Sequence, residues 1–118
     1  MLFFCQLLEI QKEIWMYIVM NRFKIKCGSE DTFIEIWRNR DSHLKDMKGF
    51  NRFYLLRGKS EEEYTLFSSY TEWESKADFD AWVNSEYFQH THRNTNNRSN
   101  NKDIYFEPAQ LECFETIL

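Results

Sequence analysis

Alternating apolar and polar positions predict the strands of this chain. Between Tyr17 and Lys26 one face of the predicted strand carries Tyr17, Val19, Asn21, Phe23 and Ile25. Two further segments, Phe50 to Arg57 and Tyr64 to Trp73, are rich in aromatic and β-branched residues and flank the polar turn 58–62. They predict an antiparallel hairpin. A last strand is predicted near Leu111 to Ile117.

Apolar residues at helical spacing predict two helices. The first begins after a predicted N-cap at Ser29 and runs to about Lys45, with an apolar stripe of Phe33, Ile36, Trp37 and Leu44. The second follows Ser75, which with Asp78 resembles a capping box, and its stripe is Phe79, Trp82 and Val83. Asn84-Ser85 interrupts this helix before a further helical segment with Tyr87, Phe88 and His92. The Asn-rich run 93–102 predicts a loop.

The order strand, helix, strand, strand, helix, strand is typical of the α+β class with a ferredoxin-like split β-α-β unit and an antiparallel sheet. We expect one such domain over residues 16–118, with residues 1–15 as an N-terminal extension that need not contain the native start. Helices on one face leave the other face of the sheet bare. A homodimer that packs sheet to sheet, a dimeric α/β barrel, is therefore expected.

Charge and cysteine content narrow the possible functions. Fifteen Lys and Arg against 19 Asp and Glu give a net charge of −4, which argues against nucleic acid as a partner. The three cysteines are odd in number and lack a Cys-x-x-Cys pair, which argues against a disulfide framework or a thiolate zinc site and fits a reducing cytoplasm.

Glu9 interrupts the apolar start of the chain before it reaches membrane-spanning length. Aromatic residues make up 18% of the chain, enough to fill a core or to line a pocket or dimer interface.

Several polar and aromatic residues break the structural pattern. Asn21 lies on the inward row of its strand, so its amide needs either a neighbouring backbone group or a ligand as a partner. His90 and His92 lie two apart, which turns them about 200° from each other on a helix, so they do not readily share a metal. His92 follows Phe88 by four residues and projects from the same face. Trp73 ends its strand where a ring either overhangs an opening or fills the core.

Three segments, taken in order, resemble one enzyme family. They are Met20-Asn21-Arg22-Phe23, Thr71-Glu72-Trp73-Glu74-Ser75 and Ser85-Glu86-Tyr87-Phe88-Gln89-His90-Thr91-His92. Together they resemble the IsdG-like heme-degrading monooxygenases of the antibiotic biosynthesis monooxygenase superfamily, and most of all the HmuQ-type members. The similarity extends from about Met16 to Leu118.

The resemblance implies a catalytic set of Asn21, Trp73 and His92. The residue that matches His92 is the proximal ligand of the heme iron, and the one that matches Asn21 donates a hydrogen bond on the distal side. The residue that matches Trp73 crowds the porphyrin so that it ruffles. Trp37 and Arg40, three apart in the predicted first helix, are expected to flank the pocket, with Arg40 pairing a heme propionate.

The implied reaction uses heme as both substrate and cofactor. Dioxygen and an external electron donor, such as a reductase, open the porphyrin to a linear tetrapyrrole and release iron. Two alternatives stay open. One is a cofactor-free oxygenase of the same fold that acts on a quinone or polyketide, and the other is a non-catalytic heme-binding or stress-signalling dimer.

Overall fold

A computed structural model describes residues 15–40, 43–85 and 103–118. These ranges contain four strands and two α-helices, in the order that the sequence predicts. The elements are β1 (Tyr17–Lys26), α1 (Glu30–Arg38), a 3₁₀ turn (Leu44–Asp46), β2 (Phe50–Ser60), β3 (Tyr64–Trp73), α2 (Lys76–Val83) and β4 (Tyr105–Glu115). The extension up to residue 14, the helical segment that carries His92 and the Asn-rich run all lie outside the described residues. The α+β, ferredoxin-like class is confirmed.

The sheet is antiparallel throughout and has the strand order β2-β3-β1-β4. The central pair is in continuous register, with Val19 opposite Thr71, Asn21 opposite Ser69 and Phe23 opposite Phe67. Directly opposed residues share a face of the sheet. The odd-numbered residues of β1 therefore face the helices, as the alternation predicts, and the even-numbered ones face away.

Two apolar clusters fix the helices on the sheet. Phe33 of α1 is fully buried and packs with Phe23 and Phe67 at ring centroid distances of 5.2 and 4.9 Å. Phe79 of α2 packs with Val19 and Trp73 in the second cluster. Neither helix in the described ranges has the length and apolar character that crossing a bilayer demands.

The first helix is shorter than the sequence predicts. It ends at Arg38, with Asn39 as its C-cap, instead of at about Lys45. His43 takes a left-handed conformation with φ 57°, which a continuous α-helix does not accommodate. Leu44 still packs on the second cluster, but from the 3₁₀ turn. The predicted N-cap position at Ser29 and the acidic first turn are confirmed, although the Ser29 side chain makes no capping hydrogen bond.

The hairpin and the last strand are both longer than predicted. Strand β2 continues to Ser60, so the turn spans only residues 61–63. Strand β4 begins at Tyr105 and includes Pro108. Proline is tolerated there because β4 is an edge strand and its register with β1 shifts on either side of Lys24.

The face of the sheet that points away from the helices carries large exposed side chains. Tyr54 is 48% exposed, Phe114 47% and Leu56 40%. Next to them the Glu72 carboxylate accepts a hydrogen bond from the Tyr70 hydroxyl at 2.8 Å and pairs with Arg52 at 3.1 Å. This bare face agrees with the layer arrangement that the sequence predicts.

Candidate active site

A cavity of about 950 Å³ lies between the helical side of the sheet and the segments that cover it. Its floor comes from β1 and β3, its walls from α1, α2 and β2, and its rim from residues 43–46. Its volume is in the range of pockets that hold cofactor-sized ligands. Most of the lining is apolar, so the few polar groups that line it are the candidates for chemistry.

Asn21 lies in the floor of this cavity. It is half-buried in the middle of β1, between the buried residues Val19 and Phe23. Its side-chain amide makes no hydrogen bond to any residue of the described ranges. The sequence allows two kinds of partner for the Asn21 amide, a neighbouring backbone group or a ligand. No backbone partner is observed among the described residues, and the side chain lines the cavity, so the geometry favours a ligand.

Trp37 and Arg40 form one wall. Trp37 stacks on Phe53 of β2, with ring centroids 5.6 Å apart and planes inclined by 20°. The Arg40 guanidinium lies over the Trp37 ring, with its central carbon 4.5 Å from the centroid. Its Nε is buried and has no hydrogen-bond partner among the described residues. Burial lowers the pKa of Arg40, an effect that Tyr105 partly opposes. A cation in this state favours an anionic ligand group beside it.

The two tryptophans at the other wall differ in their relation to the cavity. Trp73 is fully buried, and its Nε1 donates to the Thr71 hydroxyl at 3.1 Å. It is not among the residues that line the cavity, whereas Trp82 of α2 is. The two rings are adjacent, with centroids 5.9 Å apart. Trp73 therefore supports the wall from behind, and Trp82 presents its surface to the cavity.

Sequence reasoning assigned Trp82 to the apolar stripe of the second helix and missed its position in the wall. One feature of the sequence does indicate it: the interruption at Asn84-Ser85 puts Trp82 in the last turn of α2, where a large ring is incompletely covered. His43, which the sequence links to no chemistry, also lines the cavity and lies 3.7 Å from Asp46. Its left-handed backbone has no counterpart in the sequence pattern.

The remaining member of the predicted catalytic set, His92, lies outside the described residues. Within the described part of the chain, no group of three or more His, Cys, Asp and Glu side chains is arranged to hold a metal ion. The cavity thus brings together Asn21, Trp37 and Arg40, with Trp73 behind its wall.

Comparison with known proteins identifies relatives of this chain. A heme-degrading monooxygenase of Shouchella clausii is 32% identical over 83 residues, 70% of this chain and 77% of that protein. The heme degrader MhuD of Mycobacterium tuberculosis, solved with two hemes in its active site, superimposes with a TM-score of 0.64 at 25% identity, covering 86% of this chain and 96% of that one.

A cofactor-independent oxygenase, SnoaB of Streptomyces nogalater, has the same fold, with a TM-score of 0.64 at 14% identity and coverage of 87% and 94%. The family model of the antibiotic biosynthesis monooxygenases matches residues 16–94, from the first residues of the sheet to beyond α2. This match spans most of the chain, and the chain belongs to the antibiotic biosynthesis monooxygenase family.

Proposed function

We propose that this chain is a heme-degrading monooxygenase that binds heme in the cavity, opens the porphyrin ring and releases iron. The observation that carries the proposal is an aromatic-walled cavity with two polar groups that have no hydrogen-bond partner in the described part of the chain, the Asn21 amide in the floor and the Arg40 Nε in the wall. The similarity to heme-degrading relatives supports the same assignment.

The chemistry of the lining residues fits heme as the substrate. A porphyrin presents a broad apolar plane, and the rings of Trp37, Phe53 and Trp82 offer matching apolar surface. Its propionates are carboxylates, for which the stacked Arg40 guanidinium is a suitable partner. His92 is proposed as the proximal ligand of the iron, on the strength of the family resemblance.

Each residue of the site has a separate task in this proposal. Heme supplies the carbon that is oxidised and the iron that activates dioxygen, with electrons from an external donor such as a reductase. Asn21 donates a hydrogen bond on the open face of the heme, and Arg40 fixes its orientation. Trp82 crowds the ring from the wall, and Trp73, which packs behind it, keeps Trp82 in place.

The proposal includes a homodimer formed by the bare faces of two sheets. The exposed Tyr54, Leu56 and Phe114 support it, because several large apolar side chains exposed on one sheet face are typical of an interface. We also propose a cytoplasmic location, which the free thiols of Cys27 and Cys113 support.

A hemin titration of the purified chain tests the function. We expect hemin to give a Soret band that reaches a stoichiometric endpoint. When ascorbate is then added under air with catalase present, we expect the band to disappear and iron to be released. A stable complex that survives ascorbate would favour the non-catalytic heme binder. No Soret shift would favour the cofactor-free quinone or polyketide oxygenase, which does not need the histidine.

Two variants test the proposed roles of His92 and Asn21. His92→Ala should abolish iron ligation, seen as the loss of the histidine-ligated spectrum. Asn21→Ala should retain hemin binding and slow the loss of the Soret band. Unchanged turnover in Asn21→Ala would show that its amide has no part in the reaction.

A further inference from the structure

Strand β3 carries four serine and threonine side chains, and one of them differs from the others. Thr65 bonds to Glu30 at 2.9 Å and to Ser60 at 3.0 Å. The Ser68 hydroxyl donates to the carbonyl of Ser69 at 2.9 Å. The Thr71 hydroxyl donates to the Val19 carbonyl at 3.3 Å and accepts from the Trp73 indole.

Of these four, only the Ser69 hydroxyl makes no hydrogen bond to another residue of the described ranges. Ser69 is nevertheless 9% exposed, and it lines the cavity. Because its hydroxyl oxygen makes no protein hydrogen bond and is not sealed from the cavity, water or a ligand in the cavity can serve as its partner. The cavity is the place from which such a partner reaches Ser69.

Ser69 also lies directly opposite Asn21 in the sheet. Opposed side chains on one face have their Cβ atoms roughly 4.5–5.5 Å apart, so the amide and the hydroxyl stand side by side in the floor. A single small acceptor between them lies within hydrogen-bond reach of both, at about 2.7–3.0 Å from each donor. Val19 and Phe23 flank Asn21 with apolar surface, and the neighbouring Thr71 hydroxyl is already engaged by the Val19 carbonyl and the Trp73 indole.

We propose that Ser69 and Asn21 form a polar pair that holds the small ligand on the open face of bound heme, with Ser69 as a second hydrogen-bond donor. The inference rests on the proposed function and adds to it a residue that the sequence motifs do not contain. The hydroxyl donates and accepts through one oxygen atom, whereas the Asn21 amide donates through its nitrogen and accepts through its oxygen, so the hydroxyl can also link the ligand to a water in the cavity.

The test measures fluoride binding to the ferric hemin complex, a readout independent of turnover. Fluoride only accepts hydrogen bonds, so its affinity reports the donors beside the iron. Ser69→Ala should bind fluoride about three- to tenfold more weakly, the size of one hydrogen bond, with hemin affinity within about twofold of the unmodified chain. Ser68→Ala is the matched control, since Ser68 is the adjacent buried serine on the opposite face, and it should change neither affinity.

The outcomes separate this inference from the function on which it rests. Fluoride affinity in Ser69→Ala equal to that of the unmodified chain overturns the role of Ser69 and leaves heme binding standing. A matching loss of hemin affinity also overturns it, because Ser69 would then act on the porphyrin. Failure of the unmodified chain to bind hemin overturns both.

Discussion

Replacing Arg40 with methionine should leave the ligand-free protein nearly as stable as before and weaken its binding of hemin strongly. The Arg40 side chain contributes a cation–π contact with Trp37, with the guanidinium carbon 4.5 Å from the ring centroid. Such contacts contribute about 0.5–2 kcal/mol. Against this stands a buried Nε without a partner among the described residues, which lowers stability by about 1–3 kcal/mol.

The two effects are similar in size and opposite in sign, and methionine retains an apolar stem that fills most of the space. We therefore expect the free energy of unfolding of the ligand-free Arg40→Met protein to lie within about 1 kcal/mol of the original. In the hemin complex the guanidinium gains a propionate partner. Losing a charge-assisted hydrogen bond removes about 1.5–3 kcal/mol, which weakens hemin affinity by about 10- to 150-fold.

Urea denaturation of the ligand-free protein and Soret titration with hemin measure the two quantities. Arg38→Met is the matched control, because Arg38 is exposed, pairs with Glu35 at the end of α1 and does not line the cavity. It should change neither quantity appreciably. Hemin affinity unchanged in Arg40→Met, or a loss of stability above about 2 kcal/mol, would refute the reasoning, since Arg40 would then be a structural residue.

Three other changes test the packing, a cap and a titrating group. Trp73→Ala should cost about 3–5 kcal/mol of unfolding free energy in urea, because a fully buried ring is lost, whereas Trp82→Ala should cost less and shift the Soret band of the hemin complex. Ser75→Ala should lower the free energy of unfolding by about 1 kcal/mol, since the Ser75 hydroxyl accepts a hydrogen bond from a helix amide at 3.1 Å. Ser29→Ala removes no capping bond and should change it by no more than about 0.5 kcal/mol. Equal losses in the two variants would contradict the capping assignment. The pKa of Glu30 lies below its usual 4.5, because the carboxylate accepts hydrogen bonds from its own backbone amide and from the Thr65 hydroxyl. The ionised carboxylate therefore stabilises the folded state above pH 4.5, and this stabilisation is lost as the pH falls through the lowered pKa. Denaturation midpoints between roughly pH 5 and 3 should fall less steeply in Glu30→Gln, and parallel curves would contradict this.

The inward position of Asn21 could be predicted from the sequence because it depends on local geometry. Successive side chains of a strand point to opposite faces, so the apolar neighbours Val19 and Phe23 assign the face of Asn21 with no knowledge of the rest of the chain. The capping pair Ser75 and Asp78 is equally local, and the structure confirms it. Both elements keep their predicted positions.

The end of α1 could not be predicted from periodicity. Leu44 falls at helical spacing from Trp37, but it reaches the apolar cluster from a 3₁₀ turn after a left-handed His43. Periodicity predicts only that Leu44 packs on the apolar side of the fold, and more than one backbone path allows that contact. The error matters for the site, because this turn forms the rim of the cavity.

Which tryptophan meets the cavity is likewise a tertiary property. Trp73 and Trp82 are both large rings near the ends of their elements, and the interruption at Asn84-Ser85 places Trp82 in a last helical turn but does not show that Trp73 is covered. Trp73 is covered on three sides by Phe50, Phe79 and Trp82, at centroid distances of 5.7, 5.9 and 5.9 Å. That covering comes from β2 and from α2, two elements that lie apart from Trp73 in the sequence, so only the assembled fold determines which ring is left at the surface of the cavity.

The distribution of satisfied and unsatisfied polar groups is the strongest physical argument for a site at the cavity. Away from it, the buried hydroxyls of Thr65 and Ser68 in β3 have protein partners. At the cavity, the amide of Asn21, the hydroxyl of Ser69 and the Nε of Arg40 make no hydrogen bond within the described residues. A fold optimised for stability alone would pair or replace such groups, since each lowers the free energy of unfolding. Their concentration on one surface indicates that the cavity is arranged for a ligand that combines an acceptor near the floor with an anionic group near Trp37, which is the pattern that a heme with a small ligand on its open face presents.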